Sequence, residues 1–143
     1  EPDGPAGRRS PTIAGARRSP GPGGSPADES RGTLLVHGHC HQKAMNVMGP
    51  VQKVLGLVPG LKVELIASSC CGMAGAFGYQ AETVGVSRAM AELSLLPRVR
   101  AAGDDAIVVA DGTSCRHQIA DGAGRAALHV ARVLEESSKR ALT

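Results

Sequence analysis

Three short apolar runs, Leu34–Val36, Val63–Ala67 and Ala106–Ala110, each end within five residues of a cysteine. Apolar runs of this length, bounded by Gly, Ser and Asp, read as buried strands. Stretches with helical spacing lie between and after them. Lys43–Leu57 is one, with an interruption expected at Gly49–Pro50. Ala81–Leu95 is the best, because Val84, Ser87, Met90, Ala91 and Leu95 form one apolar or small face. A short helical turn is expected from His117 to Ala120, and a last helix over His129–Glu136. Strands alternating with helices give an α/β fold, a small parallel sheet flanked by helices. The C-terminal strand ends of such a sheet share one edge, where ligands commonly bind. The segments His37-Gly38-His39-Cys40-His41, Ser68-Ser69-Cys70-Cys71-Gly72 and Asp111-Gly112-Thr113-Ser114-Cys115 are therefore expected to meet at that edge.

Cys40, Cys70, Cys71 and Cys115 are all the cysteines of the chain. The N-terminus has no apolar signal-peptide core, so the thiols are expected in a reducing, cytoplasmic setting. Clustered thiols there are more often metal ligands or redox groups than disulfides. Adjacent Cys70 and Cys71 would strain a disulfide between themselves. Thiolates are soft ligands that suit zinc, copper(I) and iron–sulfur clusters, and such clusters are most often held by four cysteines. Buried structural thiols are the plainer alternative. A zinc ribbon fits less well, because the chain has no C-x-x-C pair. Thiol catalysis is a third reading, since Cys40 stands between His39 and His41 and an imidazolium nearby can lower a thiol's pKa.

The remaining features are mostly exclusions. One Phe, one Tyr and no Trp leave no stacking platform for single-stranded nucleic acid. The net charge of +3 forms no basic stripe, so no nucleic-acid partner is expected. No apolar run reaches the length of a membrane span. Residues 1–32 interleave Pro and Gly with Ser and Arg and are read as a disordered linker or tail, with the folded domain over 33–143. The first residue is Glu1, and the chain is taken as part of something longer. His129 is expected at a helix start, and Glu135 to Arg140 as a solvated helix end.

At the three cysteine segments the sequence resembles the cysteine-rich CCG domain family. That family includes the cysteine-rich chain of heterodisulfide reductase, the iron–sulfur chain of glycolate oxidase and the small chain of anaerobic glycerol-3-phosphate dehydrogenase. Its pattern is one Cys, then Cys-Cys-Gly, then Cys-x-x-Cys. The run His37 to Ala44, the run Ser69-Cys70-Cys71-Gly72-Met73-Ala74-Gly75 through Tyr79, and the run Asp111 to Ile119 carry the likeness. It covers about Thr33 to Leu134 and is most similar to the C-terminal part of FAD-linked oxidases of the D-lactate or D-2-hydroxyglutarate type. The resemblance implies an electron-transfer domain of a flavin-dependent 2-hydroxy-acid oxidoreductase. FAD would sit on another domain, and flavin and ferredoxin-like domains or subunits would be the partners. It implies a cluster, 4Fe-4S first, held by Cys40, Cys70, Cys71 and Cys115, with zinc as the alternative. The first cysteine of Cys-x-x-Cys is missing, its place taken by Gly112. Four cysteines rather than five argue against a noncubane double cluster, and His39 or His41 can replace one thiolate. Gly72, Gly75, Ser69, Ser114 and Lys43 are the expected donors around the ligands. Arg116 and His117 follow Cys115 and are candidates for facing the same pocket.

Overall fold

The computed structural model describes residues 32–142. All of the expected tail except Gly32 lies outside the described residues. The elements are β1 (Thr33–His37), α1 (Cys40–Ala44), α2 (Met48–Leu55), β2 (Lys62–Leu65), α3 (Val84–Glu92), α4 (Leu95–Ala101), β3 (Ala106–Ala110), α5 (Thr113–Ala123), β4 (Ala127–Leu128) and α6 (Val130–Ala141). Among the described residues a 3-10 turn spans Phe77–Tyr79. The strands form one sheet in the order β2-β1-β3-β4, and every pairing is parallel. The expected α/β fold is what the chain adopts.

Both faces of the sheet are covered, which is why β1 and β3 read as continuous apolar runs, whereas edge strand β2 alternates Lys62, Val63, Glu64 and Leu65. Leu34, Val36, Ile107 and Val109 point to one side, where they pack with Leu55 of α2 and Val133 of α6. Leu35, Val108 and Ala110 point to the other, against Leu95 and Val99 of α4 and Ile119 of α5. The chain leaves β1 for β2 on one side and later enters β3 on the other. The strand order therefore reverses between β1 and β3, and the crevice at their C-terminal ends is where an open α/β sheet binds ligands.

The helix boundaries differ from the expected ones in four places. The Lys43–Leu57 stretch starts earlier, at Cys40, and breaks at Asn46 rather than at Gly49–Pro50. Asn46 takes a left-handed φ of 53°, which a short amide side chain tolerates. Pro50 sits in the first turn of α2, where its missing N–H has no helical partner to lose. Ala81–Leu95 divides into α3 and the start of α4, and its expected face still packs inward at Ser87, Ala91 and Leu95. The turn expected at His117–Ala120 is the middle of the eleven-residue α5, which stops at Gly124 with φ 65°. α6 runs on to Ala141, with His129 as its N-cap.

Candidate metal centre

Every cysteine segment leaves the sheet at the same edge. β1 ends at His37 and is followed by Cys40 at the start of α1. β2 ends at Leu65 and feeds the loop carrying Cys70 and Cys71. β3 ends at Ala110 and feeds α5, where Cys115 lies in the first turn. Cys71 and Cys115 are buried, Cys70 is half-buried and Cys40 is exposed, and all four are free thiols.

The buried thiols touch. Cys115 Sγ donates to Cys71 Sγ over 3.4 Å. That donation holds the Cys71 thiol well below the usual range, against the effect of burial, and the His37 ring and the Met73 N–H reinforce it. Cys115 moves the opposite way, because it donates to Cys71 and is buried beside the other thiols. Cys40 is also raised, by burial first and then by Cys70, while the Lys43 charge pulls it down. Neither His39 nor His41 is among the groups that set it. An activated Cys40 nucleophile, the thiol-catalysis reading, therefore lacks its physical basis.

His37 completes a cluster that sequence reasoning passed over. One of its ring nitrogens and the Sγ atoms of Cys71 and Cys115 lie within 4.8 Å of one another, all buried. Its Nδ1 is 2.8 Å from Ser68 Oγ, while Nε2 is buried with no hydrogen-bond partner. The ring lies close enough to favour the Cys71 thiolate without completing a hydrogen bond to it. Two soft sulfurs and an unpartnered imidazole nitrogen fit a soft or borderline metal.

The residues expected around the ligands are placed as follows. Gly72 N–H donates to Cys70 Sγ at 3.2 Å. Gly72 has φ +86°, and a Cβ there would stand 2.2 Å from the Ser87 carbonyl oxygen, so only glycine allows this approach. Lys43 Nζ donates to the Ser68 carbonyl and, at 2.7 Å, to the Ser69 carbonyl, pinning the loop before Cys70 to α1. Gly75 has φ +68° and is exposed. Ser114 is half-buried in the first turn of α5. His39 caps α1, its Nδ1 accepting from His41 N–H at 3.2 Å and its own N–H donating to Gln42 Oε1 at 3.0 Å. His41 is exposed, its ring stacked on His39 with centroids 6.2 Å apart.

Residues around the site lock the edge together. Arg116 does not face an open pocket: its guanidinium donates to the Ala110 and Asp111 carbonyls at 3.0 and 2.7 Å. His117 is exposed and its Nδ1 pairs with Tyr79 OH at 2.9 Å. Buried Gln118 donates to the Cys71 carbonyl at 2.9 Å, and its amide also reaches Ser87. Among the described residues no helix is long and apolar enough to cross a membrane.

No protein-family model matches the chain, and no solved structure matches it at a significant level. Curated relatives do. A subunit of the anaerobic glycerol-3-phosphate dehydrogenase of Escherichia coli K12 is 31% identical over 86 residues, which are 60% of this chain and 21% of that protein. Its counterpart in Escherichia coli O157:H7 matches equally. The D-2-hydroxyglutarate dehydrogenase of Pseudomonas putida is 30% identical over 117 residues, 80% of this chain and 11% of that enzyme. The chain spans about a fifth of the first two proteins and about a ninth of the third. Its relatives are dehydrogenases or their subunits, and a cysteine and histidine group able to hold a metal sits at its sheet edge.

Proposed function

We propose that this chain is a CCG-type electron-transfer domain of a larger flavin-dependent 2-hydroxy-acid oxidoreductase. The observation that carries the proposal is the delivery of cysteines from three strand ends to one edge, with Cys71 and Cys115 3.4 Å apart. Cys40, Cys70, Cys71 and Cys115 are the residues that would hold an iron–sulfur cluster, which supplies one-electron transfer when bound. Gly72 N–H, already aimed at Cys70 Sγ, stabilises negative charge on that sulfur. Lys43 fixes the loop before Cys70 and offsets thiolate charge at Cys40. The relatives support an oxidoreductase setting; the hydroxy-acid substrate and the flavin partner rest on the resemblance.

One observation favours a second reading, a zinc ion braced by the same loops. Two thiolates on one tetrahedral zinc, each about 2.3 Å from it, stand roughly 3.8 Å apart, and the 3.4 Å between Cys71 and Cys115 is near that spacing. Protein purified without oxygen separates the readings. Brown protein carrying iron and acid-labile sulfide, bleached by reductant, supports electron transfer. Colourless protein retaining zinc supports the structural ion. Colourless, metal-free protein that also fails reconstitution with iron and sulfide defeats both.

A further inference from the structure

We propose that His37 is itself a metal ligand, through Nε2, making the centre a mixed nitrogen and sulfur site. The inference rests on a metal being held at this edge. It departs from the four-cysteine ligand set, because it puts an imidazole in direct contact with the metal.

Burial is the first argument. His37 is 1% exposed at the end of β1, yet its Nε2 has no hydrogen-bond partner. A buried polar atom left unsatisfied is costly and calls for a partner that completes it. The sulfurs of Cys71 and Cys115 are beside the ring, grouped with one of its nitrogens within 4.8 Å. Ligands about 2.0–2.3 Å from one tetrahedral ion stand roughly 3.3–3.8 Å apart, so small movements bring all three onto a common ion.

Orientation is the second argument. His37 Nδ1 faces Ser68 Oγ at 2.8 Å. A metal-binding histidine commonly donates its other ring N–H to a nearby oxygen, which fixes the tautomer and aims the ligand nitrogen. Coordination through Nε2 leaves the proton on Nδ1, donated to Ser68. Ser68 lies on the loop that carries Cys70 and Cys71, so one hydrogen bond sets the ring and the thiolates in register. The neighbouring histidines are placed differently: His39 Nδ1 is used in capping α1, and His41 is exposed.

Gly112 adds a third argument. A Cβ at Gly112 would stand 2.4 Å from His39 Cδ2 and 2.9 Å from Cys115 Sγ, so this edge has no room for a further thiolate there. His37 offers an alternative donor in place of one thiolate, off the end of β1 rather than β3. A neutral imidazole in place of a thiolate makes the centre less negative by one charge and raises its potential.

The test uses the full chain with all histidines labelled with nitrogen-15. It is loaded in one case with iron and sulfide and then reduced, and in the other with cobalt(II) alone. Pulsed paramagnetic resonance is expected to show imidazole nitrogen coupling to the metal. The coupling is expected to vanish in His37→Asn, with cobalt retention falling roughly ten-fold or more. His37→Cys is expected to restore retention without the coupling. A loaded wild-type centre with no nitrogen coupling overturns the inference and leaves the metal centre standing. Coupling that survives in His37→Asn overturns it too, and assigns the ligand to another histidine. Wild-type protein that binds neither iron nor cobalt overturns the inference together with the reading beneath it.

Discussion

Gln42 Nε2 donates to Asp111 Oδ2 at 2.7 Å, tying the helix that begins at Cys40 to the loop that leads to Cys115. Asp111 Oδ1 also accepts from Val130 N–H at 2.9 Å and lies 3.6 Å from His129 Nε2. One carboxylate thus joins the segments that follow β1, β3 and β4. Asp111→Ala leaves these donors without their acceptor. It should cost about 1–3 kcal/mol of stability, read from urea denaturation of the metal-free protein. A change under about 0.5 kcal/mol, the range of an ordinary surface substitution, would show that the junction contributes nothing.

Cys40 is the exposed thiol, and its pKa is raised, first by the partial desolvation its packed side feels and then by Cys70, despite Lys43. In reduced, metal-free protein its alkylation by iodoacetamide should be slow at neutral pH. The rate should climb only above the usual thiol range. Lys43→Met removes the one charge that lowers the Cys40 pKa and should push the midpoint higher still. A midpoint that falls in the variant contradicts the assignment.

The Cys71 and Cys115 pair should give the metal-free protein an unusual pH profile. Cys71 is held below its ordinary value of 9.0 and Cys115 above it, so the folded pair carries one proton across neutral pH. The unfolded pair carries two protons below about 9.0 and none above it. Below that value the unfolded state binds more protons and stability rises with pH; above it the sign reverses. Stability from this pair should therefore peak near the ordinary thiol pKa and be lost as pH falls through the lowered Cys71 value. Denaturation titrations between mildly acidic and alkaline pH, with reductant present, measure it. Cys71→Ser should flatten the profile, and equal slopes in both proteins would remove the pair as its source.

Gly112 stands where the CCG pattern that the sequence resembles has a cysteine. Gly112→Cys restores the motif on paper but drives a Cβ into the His39 ring and the Cys115 sulfur. The substitution should destabilise the protein by roughly 1–3 kcal/mol through overpacking and add no metal per chain. Increased stability, or a second bound metal equivalent, would contradict this.

The strands and the shared edge are legible in the sequence because β1 and β3 are short apolar runs with abrupt polar ends, while β2, expected over Val63–Ala67, runs from Lys62 to Leu65 with Lys62 and Glu64 in it. β4 is not, because Ala127–Leu128 is two residues long and carries no periodicity. Only the middle of α5 shows, because its buried side is Cys115, Gln118 and Ile119, at helical spacing but with a polar member. The sequence pattern points to Gly49–Pro50 for the break that falls at Asn46, since proline is the stronger helix breaker, yet a first-turn proline is harmless. His37 is visible only as one of three clustered histidines. β1 is buried from Leu34 through His37, so no alternation of polar and apolar residues marks which imidazole turns inward.

Cys71 and Cys115 are 44 residues apart in sequence, and each hangs from a different strand of an all-parallel sheet. Parallel strands pair only after long crossover segments have closed, which makes such contacts late and slow to form. The chain must therefore build most of its sheet before the thiols meet. Until then they are separate, exposed sulfurs, open to oxidation and unable to act as a chelate. A metal taken up at this edge would therefore be captured by a nearly native chain, and the yield of loading is expected to fall when folding is slowed or oxygen is present.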